Sequence, residues 1–141
     1  MSERDCAFCE PDKLAPRIIH EGKLFISFLS NPRMKAGHTL VIPRRHVEMP
    51  KELTSGEKLD IMNETTILTE KILGGFAIGT DVWQKTRPNV DETGHKMNHL
   101  HYHVLPSNPG DELYDSALNW GNSNFETLTD DERDRMINLL K

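Results

Sequence analysis

Three histidines at alternate positions, His99, His101 and His103, are the side chains of this sequence best suited to chemistry. An imidazole titrates near neutral pH, so each ring can serve as nucleophile, acid, base or metal ligand. Leu100, Tyr102 and Val104 fill the gaps, and a period of two is that of a β-strand. Successive strand side chains face opposite ways. His99, His101 and His103 are therefore expected to share a face with Leu105, leaving Leu100, Tyr102 and Val104 for the core. Same-face neighbours stand roughly 6.5–7 Å apart, so one bound phosphate group can touch more than one ring. The plain alternative is a solvated strand face, but strands rarely give three such positions in a row to water.

Two further clusters carry reactive side chains. Cys6-Ala7-Phe8-Cys9 has the C-x-x-C spacing of half a metal site, of a redox pair, or of two inert thiols. A closed zinc site needs two more ligands, and no βαβ unit follows closely to support a thioredoxin-like role. Arg44-Arg45-His46 lies at a strand exit, where a basic pair taken alone is a solvated edge.

Around these residues the chain alternates short strands with helices. Residues 17–20 and 24–29 read as a hairpin turning through Glu21-Gly22-Lys23. A loop from Ser30 to Gly37 leads to a strand at 38–42, stopped by Pro43. Thr54 with Glu57 has capping-box form and opens the main helix. Leu59, Ile61, Met62, Leu68 and Ile72 are its expected core stripe, and Gly74-Gly75 its end. Residues 76–83 read as a strand and 84–98 as a long polar loop, a kind often found beside sites. After the histidine strand, Thr129-Asp130-Asp131-Glu132 forms a second capping box before a short helix through Met136, Ile137 and Leu140. The expected architecture is one α+β domain over residues 1–141, with a mostly antiparallel sheet of about five strands.

The totals set limits. A chain of 141 residues is long enough for one domain with a real core. A formal charge of −5 argues against gripping a nucleic-acid polymer, though not against a single nucleotide held by a few local donors. No apolar run is long enough for a membrane span, and the charged start Met1-Ser2-Glu3-Arg4-Asp5 has no signal-peptide pattern. A cytoplasmic protein is expected. Two cysteines are too few for a disulfide framework.

The His99-x-His101-x-His103 row, followed by two apolar residues and Pro106, resembles the signature of the histidine triad (HIT) family of nucleotide hydrolases and transferases. Gly37-His38, the apolar strand, Pro43, Arg44-Arg45 and His46 are similar to that family's second block. Cys6-x-Phe8-Cys9 resembles the opening of its zinc-binding branch, found in many prokaryotic members. The blocks run from Cys6 to Pro106, about three quarters of the chain.

This resemblance implies a HIT-like fold and a homodimer whose protomers share an extended sheet. It implies attack on the α-phosphate of a nucleoside phosphoramidate, dinucleoside polyphosphate or related adenylate, with no organic cofactor. By position, His101 is the nucleophile, His99 and His103 flank it, and His38 lies near the nucleotide. Cys6, Cys9, His46 and His99 become the ligands of a structural zinc. The ribose-binding position falls on Ser30, with Asn31 beside it. Many members carry a hydroxyl residue for the phosphate where this chain has Lys96, within Gly94-His95-Lys96-Met97-Asn98. Lys96 either takes over that contact as a point charge, with Asn98 nearby, or is a solvated lysine on a loop. Gln84 and Arg87 come from a segment unlike the family's glycine-rich stretch and are further candidates for phosphate contact. His20 and His95 read as surface or secondary histidines.

The implied chemistry is physically coherent. A ring nitrogen attacks phosphorus when the other nitrogen is held by an acceptor, and a protonated His103 can donate to the departing group. Two competing readings are a non-catalytic nucleotide-binding or regulatory module, and a catalytic zinc held by all three histidines. The latter leaves Cys6 and Cys9 without a purpose.

Overall fold

The computed structural model describes residues 6–88, 97–112, 115 and 126–141. The chain forms two compact units, residues 1–108 and 109–141. In the first, a 3₁₀ turn at Ala7–Cys9 leads into α1 (Pro11–Leu14) and a second 3₁₀ turn at Ala15–Arg17. The expected hairpin follows as β1 (Ile18–Glu21) and β2 (Phe25–Leu29). Then come β3 (Thr39–Pro43), α2 (Ser55–Gly75), β4 (Gly79–Trp83) and β5 (Tyr102–Ser107). The sheet order is β1-β2-β3-β5-β4 and every pairing is antiparallel. The α+β expectation and the five strands hold, and β5 is central enough to be gripped on both sides. In the second unit, α3 (Asp130–Leu140) is capped by Thr129, whose Oγ1 accepts from the Glu132 N–H at 3.2 Å.

The capping box of α2 is complete. Thr54 Oγ1 accepts from the Glu57 N–H at 3.1 Å, and the Glu57 carboxylate accepts from the Thr54 N–H at 2.9 Å. One face of the sheet buries Val41, Leu100 and Val104 against Ile61, Leu68 and Ile72 of the helix. The other buries Ile26, Phe28, Leu40 and Ile42 beneath Leu14, with Phe8 packed against them. Leu40 pairs across the ladder with His103, so this second face, covered by the N-terminal segment, is the histidine face. Leu100, Tyr102 and Val104 take the core side, as the alternation requires.

Three expectations need correction. Leu59 and Met62 are not core; they are 61% and 63% exposed. The buried line of α2 is Glu57, Ile61, Glu64, Thr65, Leu68 and Ile72, and it contains two carboxylates that a hydrophobic pattern skips. Glu57 accepts from Arg45 Nη2 at 2.8 Å, while Glu64 meets Ser27 Oγ at 2.7 Å and His20 Nδ1 at 2.6 Å. His20, read as a surface or secondary histidine, is thus a partly buried partner of α2. The second correction concerns the strand expected at 76–83, which begins only at Gly79. The Asn108 amide accepts from the Ile78 N–H at 3.1 Å and donates to the Phe76 carbonyl at 3.3 Å, holding these residues outside the ladder. The third is that β5 starts at Tyr102, so His99 precedes it. His95 and Lys96 lie outside the described residues. No helix among the described residues is long and apolar enough to cross a membrane.

Candidate active site and metal cluster

Starting the strand at Tyr102 frees His99 to turn away from the other two rings. Its Nδ1 lies 3.5 Å from Cys6 Sγ and 3.4 Å from Cys9 Sγ, while His46 Nδ1 lies 3.2 Å from Cys9 Sγ. Four ligand atoms, one each from Cys6, Cys9, His46 and His99, all fall within 4.8 Å of one another. Zinc with bonds of about 2.3 Å to sulfur and 2.0–2.1 Å to nitrogen spaces its tetrahedral ligands about 3.5 Å apart, so this donor set fits one ion. The Pro43 carbonyl accepts from His99 Nε2 at 2.8 Å, which leaves the Nδ1 lone pair facing the thiols. Burial first, then the charges of His46 and His101, lower the His99 pKa to about 4 against the opposing Pro43 bond, so the ring is neutral and ready to ligate. The cluster gathers residues from the first 3₁₀ turn, the exit of β3 and the approach to β5. It takes His99 out of any three-histidine metal site.

His101 and His103 remain with His38. The His101 Nδ1 donates to the backbone carbonyl of His99 at 2.7 Å, so its Nε2 carries a free lone pair. His38 Nδ1 accepts from the Met34 N–H at 3.1 Å, which puts the His38 proton on Nε2. That Nε2 lies 2.8 Å from His103 Nδ1 and donates to it, so the His103 proton sits on its own Nε2. The His101 and His103 ring centres are 5.0 Å apart. Burial lowers the pKa of all three, and His103 falls to about 3 because the charges of His101, His38 and Lys85 add to it. In the free protein His103 is therefore neutral, not protonated, yet it still offers an N–H.

Two cavities meet at these rings, sharing His101 and Met97 as walls. The larger, about 570 Å³, is lined by Phe8, Arg17, Ser30, Asn31, His38, His101 and His103. The smaller, about 90 Å³, is lined by Gln84, Lys85, Thr86, Arg87, Asn98 and His101. Ser30, Asn31 and His38 are thus brought together on one side of His101, with Gln84 and Asn98 on the other. Sequence reading missed Phe8, whose ring stands edge-on to His101 at 5.7 Å, and Arg17, whose guanidinium lies over Phe28 and donates to the Leu29 carbonyl at 2.8 Å. The available signal for Phe8 was its place between the two cysteines.

A model of the HIT domain matches residues 13–110. The chain belongs to the HIT family. It is 29% identical over 126 residues to the asymmetrical bis(5'-nucleosyl)-tetraphosphatase of Schizosaccharomyces pombe, spanning 83% of this chain and 66% of that one. It is 27% identical over 117 residues to the adenosine 5'-monophosphoramidase of the same yeast, covering 82% of each. The histidine triad nucleotide-binding protein from Candida albicans superposes with a TM-score of 0.72 at 23% identity, over 96% of this chain and 94% of that one. At that identity the superposition speaks for the HIT fold alone.

Proposed function

We propose that this HIT domain is a nucleotide hydrolase or transferase attacking the α-phosphate of nucleoside phosphoramidates or dinucleoside polyphosphates through a nucleotidyl-histidine at His101. The observation that carries it is the acceptor on the His101 Nδ1 proton, the His99 carbonyl, which leaves Nε2 unprotonated on a ring that lines both cavities. Nε2 displaces the leaving group in line, forming a P–N bond as the P–O or P–N bond opposite breaks and its electron pair departs. The His99 carbonyl steadies the positive charge that develops on the ring. The neutral His103 donates a hydrogen bond from its Nε2–H to the phosphoryl oxygens, while His38 holds its Nδ1. Ser30, Asn31 and His38 take the nucleoside side, while Gln84 and Asn98 take the phosphates. Water then attacks phosphorus, the P–N electron pair returns to Nε2, the proton lost by water passes to solvent, and His101 is again neutral.

Cys6, Cys9, His46 and His99 would hold a zinc ion whose closed shell supplies a cross-link and no open catalytic position. A second copy pairs along β4, an edge strand flanked by an apolar groove of about 740 Å³ between Met62, Val82, Trp83 and Tyr102. Two cysteines, too few for a disulfide framework, suit a reducing compartment, in keeping with a cytoplasmic protein.

The test is His101→Ala beside the unaltered protein on adenosine 5'-phosphoramidate and diadenosine tetraphosphate. Turnover should fall by at least about 1000-fold, as for loss of a covalent nucleophile. A mass adduct of one nucleoside monophosphate should be trapped only when His101 is present. Equal rates, or no turnover by either protein, would return the domain to a non-catalytic nucleotide-binding module.

A further inference from the structure

The two cavities that meet at His101 differ in size and in charge. A nucleoside fits the 570 Å³ side and not the 90 Å³ side, which has room for a phosphoryl group. The small side is built of donors. Thr86 Oγ1 donates to Gln84 Oε1 at 3.1 Å, which occupies the amide oxygen and leaves the NH₂ as its donor end. Lys85 Nζ is held 4.9 Å over the Trp83 ring, and that ring stands edge-on to His103 at 5.9 Å. Arg87 adds a second cation, and Glu48 is the one carboxylate among the described lining residues. Two cations are thus concentrated beside the reacting histidines of a chain whose formal charge is −5.

We propose that Lys85, Arg87 and the Gln84 amide form a receptor for an anionic leaving group. The domain would then favour nucleotides whose α-phosphate is joined to further phosphate over those joined to a neutral amine. This rests on the reading of His101 given above and goes beyond it by naming the leaving group. The His101 Nε2–P bond forms while the bridging P–O bond breaks, and the electron pair leaves on the bridging oxygen. A polyphosphate departs as a stable anion and needs countercharge, which Lys85 and Arg87 supply. An amine departs by gaining a proton, so countercharge by itself does less for it. Lys85 and Arg87 are exposed, so their removal leaves the core untouched.

The experiment compares the unaltered protein with Lys85→Ala/Arg87→Ala on diadenosine tetraphosphate and adenosine 5'-phosphoramidate. For the polyphosphate, kcat/KM should fall about 10- to 100-fold, the loss of one or two charge-assisted contacts, and the fall should shrink in high salt. For the phosphoramidate the fall should be about tenfold smaller, since its departing group is neutral and only the α-phosphate common to both substrates meets the cations. Equal losses on both substrates, or an unaltered protein that prefers the phosphoramidate, would overturn the proposal. If the unaltered protein turns over neither substrate, the reading of His101 fails by itself. The receptor is then decided by calorimetric binding of inorganic tripolyphosphate, which the double variant must weaken about tenfold or the proposal is lost.

Discussion

His38 Nε2 donates to His103 Nδ1 across 2.8 Å, and the two rings stack with centres 5.1 Å apart. This bond sets which nitrogen of His103 bears the proton, and so which atom faces the substrate. The chain of donors begins at the Met34 backbone, in the loop before β3, and ends in the cavity.

Substituting His38 by Ala removes that orienting donor without touching His101. We expect kcat to fall about 10- to 100-fold, the effect of losing an outer hydrogen-bond partner, with KM changing less. Nitrogen NMR of His103 checks the cause. The Nε2–H form should dominate in the parent protein and mix with the other tautomer in the variant. A variant with an unchanged tautomer and unchanged kcat would remove His38 from the account.

The cysteine–histidine cluster predicts one bound zinc per chain by elemental analysis. Cys6→Ser should abolish it, because three remaining ligands leave an open shell. Chelation should lower the Tm, since an ion bound only by the folded chain stabilises it by mass action. His46→Ala should act in the same direction. Full zinc retention by both variants would show that the ion lies elsewhere.

Metal-free protein should lose stability in acid. His99 and His103 start from 6.5 and are lowered in the fold to about 4 and about 3, chiefly by burial. Below 6.5 the unfolded chain binds more protons than the folded one, so stability rises with pH across this window. Stability is therefore complete above pH 6.5 and is lost as the pH falls toward 4 and then 3. Thermal unfolding at a series of pH values measures it, and His103→Asn should make the fall shallower. A Tm that is flat from pH 7 to 4 would contradict the burial of these rings.

Glu64 is 3% exposed and joins α2 to the first hairpin through His20 and Ser27. Glu64→Ala should cost about 1–3 kcal/mol in urea unfolding, because it strands a buried hydroxyl and opens a void. Glu64→Gln keeps an acceptor and should cost less. Equal costs would mean that volume alone matters at this site.

Gly37 has φ of +89°, and a Cβ there would meet Pro106 Cγ at 2.9 Å and Phe76 Cε2 at 2.7 Å. The exposed Phe76 ring can swing aside, so the backbone strain decides. Gly37→Ala should destabilise by about 1–3 kcal/mol and disturb the adjacent His38. Retained stability together with retained kcat would show that the loop tolerates another conformation.

Local rules were enough for the hairpin, for β3, for α2 with its Thr54–Glu57 cap, and for the alternation that sends Leu100 and Val104 inward. These are short-range consequences of period, turn chemistry and capping, so the chain order alone discloses them. What needed the tertiary structure was every partnership across the fold. Glu57 and Glu64 look like surface residues until Arg45, Ser27 and His20 are brought to them from other elements. The histidine row looks uniform until packing divides it. His99 turns to thiols some ninety residues away in sequence, His103 accepts a hydrogen bond from His38, and His101 keeps an unprotonated Nε2. Side-chain alternation specifies a face, but the protonated atom of an imidazole is set by whichever group folding places against it.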